Sequence, residues 1–177
     1  MLRDNLTMTL AEFNALPTAK AESALQDCCG SVRWAARVAA QRPFANLNAL
    51  YESADTIWQN LERADWLEAF SHHPQIGEKA AVGSTSARKW AEGEQTGARA
   101  AGENVKSRLA YGNRAYYEKF GYIYIVCATG KSAEEMLALL EQRVQNDSVS
   151  ELPVAADQQR LITRIRLEKL FAGEHAV

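Results

Sequence analysis

Only one stretch of this chain reads locally as a β-strand. Residues 122–126, "YIYIV", are rich in aromatic and β-branched side chains, and no second run like them exists. A lone strand has no neighbour to satisfy its backbone N–H and C=O groups. The segment is therefore expected as a short extended connector among helices. The rest of the chain carries helical punctuation. Thr9 can cap a short helix that ends before Pro17. Residues 19–29 read as a helix closed by Gly30, and Ser31 can cap the next one through residue 40, with Pro43 as a break. In "NLNALYESADTIWQNLERA", Leu47, Leu50, Ala54, Ile57, Trp58 and Leu61 recur with the 3.6-residue period of one helix face. A further helix over 64–71 runs into His72 and His73. Pro74, Gly77 and Gly83 mark residues 74–85 as a loop, after which Ser86 can cap a helix carrying Trp90, Glu94 and Gln95. Val105, Leu109, Gly112, Tyr116 and Phe120 form a stripe that stops at Gly121, and amphipathic helices over 132–146 and 154–171 finish the chain. The expected class is all-α: a single-domain helical bundle over residues 1–177, with one short extended connector around 122–126.

Composition narrows the partners. The 177 residues carry a formal net charge of −2, with basic residues scattered, which is no electrostatic footprint for nucleic acid. No apolar run approaches the ~20 residues that a membrane span needs. The start "MLRDNLTMTLAEF" lacks a signal-peptide apolar core, and "EHAV" is no peroxisomal tripeptide. Cys28, Cys29 and Cys127 are an odd set with an adjacent pair, a poor disulfide framework with the wrong spacing for a zinc knuckle. They are expected as buried small hydrophobes in a reducing cytoplasm.

Two of the three histidines stand together in "SHHPQIGE". A metal site needs three or four convergent ligands. Adjacent side chains point in different directions, His175 lies near the C-terminus, and no H-x-x-x-H pair exists, so no metal is expected. Pro74 fixes its own φ and confines His73 to extended conformations. A histidine held so rigidly at a helix exit suits general acid/base chemistry near neutral pH. The same placement also suits a histidine that satisfies the orphan carbonyls of a helix end, and the residues alone leave both open.

Two more features stand out. In "QQRLITRIRLEKLF", Ile162, Arg166 and Leu170 share one face, while Arg160, Arg164 and Glu168 share another. Arg164 is thus expected in a solvated, ion-pairing stripe. Arg166, in the apolar stripe, must either snorkel to water or meet an anion. In "SARKWAEGEQTG", Trp90 and Glu94 face the same way if the helix persists, with Gln95 beside them. An acid and an amide there suit a hydrogen-bond-rich heterocycle, although such pairs are common on exposed helices.

The order of these pieces adds information. "RWAARVAAQRPF", "HPQIGE", "WAEGEQTGA", "NRAYYEKFGYIYIVCATGKS" and "ITRIRLEKL" resemble, in sequence and spacing, the 2-oxo-4-hydroxy-4-carboxy-5-ureidoimidazoline (OHCU) decarboxylase family over residues 8–171. The resemblance implies an all-helical fold, usually a homodimer, with no metal and no organic cofactor. It implies decarboxylation of OHCU to (S)-allantoin and CO2, the last step of urate oxidation to allantoin. Carried across residue by residue, His73 would be the catalytic histidine, with Pro74 beside it at the substrate. Glu94 and Gln95 would bind the ring and ureido groups, Glu94 also orienting the histidine. Backbone groups from Tyr124 through Ile125, Val126 and Cys127 to Ala128 would complete the pocket, and Arg166 would take an anionic end of the substrate. His72 falls outside the pattern. Ala91 stands where many relatives carry serine, so a hydroxyl contact available to them is absent here. Two other readings stay compatible with the residues: a non-catalytic helical binding module, or a lyase of the same fold acting on another small ureido or imidazoline acid.

Overall fold

The computed structural model describes residues 7–76, 85–99 and 101–175. Ten α-helices and no strand occur among them, so the class is all-α, as the sequence predicts. The chain divides into two compact units, Met1–Glu68 with Arg160–Val177, and Ala69–Gln159.

The first unit begins with α1 (Leu10–Ala15), α2 (Thr18–Cys29), α3 (Val32–Ala39) and α4 (Leu47–Gln59). Thr9 and Glu12 form a reciprocal capping box at the start of α1, with the Glu12 carboxylate 2.8 Å from the Thr9 N–H. Gly30 closes α2 in the left-handed conformation at φ 88°, and the Ser31 hydroxyl at once accepts the Trp34 N–H to open α3. The "RPF" segment acts as a clasp. The Arg42 guanidinium donates to the carbonyls of Phe13, Leu16 and Ala39, satisfying the ends of α1 and α3. Phe44 exchanges two 2.9 Å hydrogen bonds with the Asn14 amide. On α4, Leu50, Ala54 and Trp58 are buried as expected. Tyr51 joins them, whereas Leu47 and Ile57 are half-buried and Leu61 lies beyond the helix end.

Helices α5 (Arg63–Ser71) and α10 (Ser148–Leu170) each contain a boundary between the units. In the first unit, Phe171 packs edge-on against Phe13 at 5.4 Å, and the Met8 N–H donates to the Leu170 carbonyl. A 3-10 turn, Ala172–His175, follows. Helix α10 starts six residues earlier than the sequence pattern suggests. Asp147 caps the true start by accepting the N–H groups of Val149 and Ser150 at 2.9 Å, and Pro153 lies inside the helix. The carbonyl that Pro153 leaves without its usual donor belongs to Val149, which is exposed to water.

The second unit holds α6 (Thr85–Glu94), α7 (Thr96–Arg99), α8 (Glu103–Phe120) and α9 (Ala133–Arg143). Because α6 starts at Thr85, Ser86 is its second residue and not its cap. Residues 123–128 run without secondary structure, and Tyr124, Ile125, Val126, Cys127 and Ala128 are all buried. Side chains replace the missing strand partner. Arg143 donates to the Ile125 carbonyl at 2.7 Å, Gln158 accepts the Cys127 N–H at 3.0 Å, and Lys131 donates to the Cys127 carbonyl at 2.8 Å. Arg143 is itself held by the fully buried Glu151 at 2.6 and 2.8 Å, while Asn146 and the Tyr116 hydroxyl also donate to that carboxylate. Burial first, then the bond to Glu151, pushes the Tyr116 phenol far above its ordinary pKa, so it stays a donor.

Removing one partner of a buried ion pair leaves the other charge uncompensated, at a cost of about 3–5 kcal/mol. Glu151→Gln and Arg143→Met are each expected to destabilise the fold on that scale. The double substitution should lose less than the sum of the two, because no buried charge remains. Urea unfolding of the three variants measures this; strict additivity would contradict the coupling.

Candidate active site

The double histidine stands where α5 stops. Its last turn tightens into i→i−3 bonds, from His72 N–H to the Ala69 carbonyl at 3.2 Å and from His73 N–H to Phe70 at 3.1 Å. Those two carbonyls are thus served by backbone, without calling on an imidazole. Phe70 anchors this end against Tyr122 at 5.5 Å. The neighbours differ in setting: His72 is exposed, whereas His73 is half-buried with its Nε2 out of contact with solvent. Pro74 and Gln75 are half-buried and Ile76 is buried. Gly77 and Gly83, on which the loop reading also rests, lie outside the described residues.

Helix α6 ends at Glu94, so the helix does not persist through Gln95. Gln95 occupies the turn before α7 and is buried, while Glu94 is half-buried and Trp90, one turn earlier, is buried. The Thr96 hydroxyl donates to the Gly93 carbonyl at 2.7 Å across this break. A Cβ on Gly97 would lie 2.3 Å from the Lys131 carbonyl oxygen. The turn bearing Glu94 and Gln95 is therefore seated directly against the residue that holds Cys127. His73, Pro74, Glu94, Gln95 and the connector Tyr124–Ala128 all belong to this second unit.

Arg166 belongs to the first unit, on α10. It is 4% exposed, beside Ile162 and Leu170 at 5% each, so it does not snorkel to water. The Cys29 thiol shares its surroundings. Burial pushes that thiol up to about 11, against the lowering effects of the Ser31 backbone, the Thr163 hydroxyl and the Arg166 charge. Cys29 is thus neutral, and all three cysteines are buried and free. Arg164 behaves as its stripe predicts: it pairs with Glu168 at 2.8 Å, and its guanidinium lies 3.6 Å from the Tyr51 ring centroid. Among the described residues no three His, Cys, Asp or Glu side chains group so as to hold a metal ion.

Sequence reasoning missed Arg143, the support of the connector. Its signal was present, because Met136, Leu140 and Arg143 follow one another at helical spacing and all three are buried. The test applied to Arg166 would have found it.

The seating of Gly97 against Lys131 leads to a paired expectation. Gly97→Ala should lower the melting temperature by several degrees and reduce activity, since backbone must shift to admit a methyl group. Gly93→Ala, in open space on α6, should be neutral or stabilise by up to about 1 kcal/mol through helix propensity. Thermal melts of both proteins check this.

Known proteins fit the same frame. The sequence model of the OHCU decarboxylase family matches residues 14–168. The uric acid degradation bifunctional protein TTL of Arabidopsis thaliana is 36% identical over 152 residues, which cover 85% of this chain and 47% of that one. The chain thus spans about half of that bifunctional relative's length. The 2-oxo-4-hydroxy-4-carboxy-5-ureidoimidazoline decarboxylase of Haloferax volcanii is 24% identical over 168 residues, covering 94% of this chain and 98% of its own. A crystal structure of OHCU decarboxylase in the presence of (S)-allantoin superposes with a TM-score of 0.73 at 36% identity, covering 85% of this chain and 98% of that one. A crystal structure of (S)-allantoin synthase shares the fold at TM-score 0.69 and 19% identity. With one family model running from α1 into the last turns of α10, through every motif that carries the candidate site, the chain belongs to the OHCU decarboxylase family.

Proposed function

We propose that the chain carries out this family's reaction, converting OHCU to (S)-allantoin and CO2, with His73 as its acid/base group. It is a carboxy-lyase of urate degradation. The observation that carries the assignment to His73 is its setting: half-buried, Nε2 shielded from solvent, between the tightened end of α5 and Pro74. The two units are read together as one family domain, since the family match runs through both. We also propose a cytoplasmic homodimer. No helix among the described residues is long and apolar enough to cross a membrane, and the free, buried cysteines suit a reducing compartment.

The chemistry needs few groups. The bond to the carboxylate breaks and CO2 leaves. The electron pair moves into the adjacent unsaturated C–N unit of the ring, whose nitrogen becomes an N–H. The 4-hydroxyl becomes a carbonyl as it gives up its proton, and the carbon bearing the ureido group is protonated. Of the two protons gained by the ring, one is thus replaced from the hydroxyl. Charge and atoms balance with the uptake of a single proton. The ring itself accepts the electron pair, so the protein's part is alignment and protonation on one face. His73 moves the proton, and Glu94 orients it. Gln95, a buried amide with both donor and acceptor, reads the ring or ureido group. Backbone groups between Tyr124 and Ala128 also contribute. The Ile125 and Ala128 carbonyls and both Cys127 backbone groups already have partners inside the protein. The remaining groups of the segment are thus the better candidates. Pro74 lines the same loop, and Arg166 anchors an anionic end of the substrate. An arginine gripping the departing carboxylate too tightly would stabilise the ground state.

His73→Asn should fold but lose at least ~100-fold in rate, the scale of a positioned acid/base. His72→Asn should stay within a few-fold, as its exposed side chain predicts. Freshly generated OHCU followed by circular dichroism reads the reaction, because spontaneous decay yields racemic product. Similar behaviour of the two variants would remove His73 from its role.

Arg166→Lys keeps the charge and loses the planar fork. A lost charged hydrogen bond in a closed site is worth roughly 1.5–3 kcal/mol, about ten- to a hundredfold in kcat/KM. Arg164→Lys should leave kcat/KM unchanged, as its partners are Glu168 and the Tyr51 ring. Steady-state kinetics of both variants decide the matter, and wild-type kinetics for Arg166→Lys would take Arg166 out of the site.

A further inference from the structure

We propose that Asn113 is a positioning residue for His73, acting through the backbone of the 73–76 loop. The proposal rests on the reading of His73 as the acid/base group. Asn113 sits on the core face of α8, between Leu109 and Tyr116, and is 3% exposed. A primary amide buried on an apolar helix face is destabilising unless its polar atoms find partners. Its Nδ2 donates to the carbonyl of Ile76 at 3.2 Å, a contact spanning 37 residues of sequence. Its Oδ1 meets no donor among the described residues. The orientation of the amide is therefore decided by a single bond, and that bond ends on the loop of the histidine.

The consequence for His73 follows from the length of the segment. At one end, the His73 N–H is tied to the Phe70 carbonyl at 3.1 Å. At the other, the Ile76 carbonyl is tied to Asn113. Between them Pro74 fixes its own φ and restricts His73 to extended conformations. With both ends tethered and the middle stiffened, the direction of the imidazole depends on the Ile76 tether. Misplacement of a reacting group by about 1 Å can cost about a hundredfold in rate. A buried Asn kept on a core face with no donor to its Oδ1 among the described residues is explained by this tether, and packing alone does not explain it.

The test separates positioning from folding. Asn113→Leu has similar bulk, removes the amide oxygen and should fold with undiminished stability in urea. Its kcat should nevertheless fall by about ten- to a hundredfold, with KM within about threefold, because the tether acts on the proton-moving group and not on the binding groups. The enantiomeric excess of the allantoin formed should fall as well, which a merely structural lesion would not change per turnover. Asn113→Asp provides the second arm. Its carboxyl can donate to the Ile76 carbonyl only while protonated, and burial raises its pKa. Its kcat relative to wild type should therefore recover as pH is lowered, whereas that of Asn113→Leu should not. In the His73→Asn background, Asn113→Leu should add no further loss. Wild-type kcat and stereochemistry in a folded Asn113→Leu would overturn the proposal, as would losses that multiply in the double variant or an Asn113→Asp that folds without recovering. If His73→Asn is itself fully active, the assignment of His73 falls first and this inference with it. A dead His73→Asn beside a fully active Asn113→Leu sinks the inference alone.

Discussion

A buried run of backbone with no neighbouring strand must find its hydrogen-bond partners among side chains, and the Arg143–Glu151 pair is the centre of that arrangement. Arg143 reaches the Ile125 carbonyl, and Glu151 fixes Arg143, with Tyr116 and Asn146 donating to the same carboxylate. The guanidinium also lies 4.9 Å from the ring centroid of Tyr124. That connector residue has its own phenol pushed up to about 12, chiefly by burial. A continuous aromatic cluster of Phe70, Tyr116, Phe120, Tyr122 and Tyr124 meets this charge pair through Tyr116 and Tyr124. Buried ion pairs rarely add much net stability compared with apolar packing. What this one provides is satisfaction of a carbonyl that neither a helix nor a sheet would satisfy.

Two arginines among the described residues lie buried in apolar helical stripes, and both make the same demand for polar partners. Arg143 follows Met136 and Leu140 on α9, and its anion is Glu151, within the second unit. Arg166 lies between Ile162 and Leu170 on α10, in the first unit, near the Thr163 hydroxyl and a Cys29 thiol that stays neutral. For Arg143 the protein supplies a carboxylate and several further donors and acceptors. Arg166 too has partners within the protein, with Glu68 among the charges that act on the same Cys29 thiol, and in the proposed function a substrate anion joins them. An arginine on a core face is thus informative in sequence, but which kind of anion it meets depends on residues distant in the chain.

Local chemistry made much of the fold legible. Gly30 followed by Ser31 announces one helix ending and another starting, because few other residues accept φ 88° and Ser offers a cap oxygen. The lone "YIYIV" run identified the connector, since one strand makes no sheet. The errors have equally local causes. The start of α10 was read six residues late: its cap is Asp147, and the helix runs through Pro153. The stripe on α8 was traced through Gly112, whereas the buried path runs Leu109, Asn113, Tyr116 and Phe120. An asparagine on a core face is invisible to a search for apolar periodicity. Of the candidate site, the rigid setting of His73 could be argued from residues alone, whereas for Arg166 they left snorkelling and an anion partner both open. For Glu94 and Gln95 the residues gave only a weak fit to a hydrogen-bond-rich heterocycle, and the part of the connector came only with the family resemblance. Nothing in an exposed-looking "GEQTG" predicts that Gln95 is buried or that Gly97 touches a carbonyl.

A helical scaffold also explains where such a site can be. Inside a helix the backbone N–H and C=O groups are spent on the helix itself, so they are closed to a substrate. In the second unit, the non-helical stretches among the described motif residues include the exit of α5, the turn at Gln95 and the connector over 123–128. These are the segments on which the proposed site draws. A small substrate dense in ureido and ring amide groups needs donors and acceptors held at fixed positions, and in this fold they are found where helices stop. Rigidity then has to come from elsewhere. Pro74 stiffens the first segment, the approach of Gly97 to Lys131 seats the second, and Arg143 with Gln158 fixes the third. Each non-helical segment that offers free polar geometry is thus matched by a side chain, or by the absence of one, that keeps it from moving.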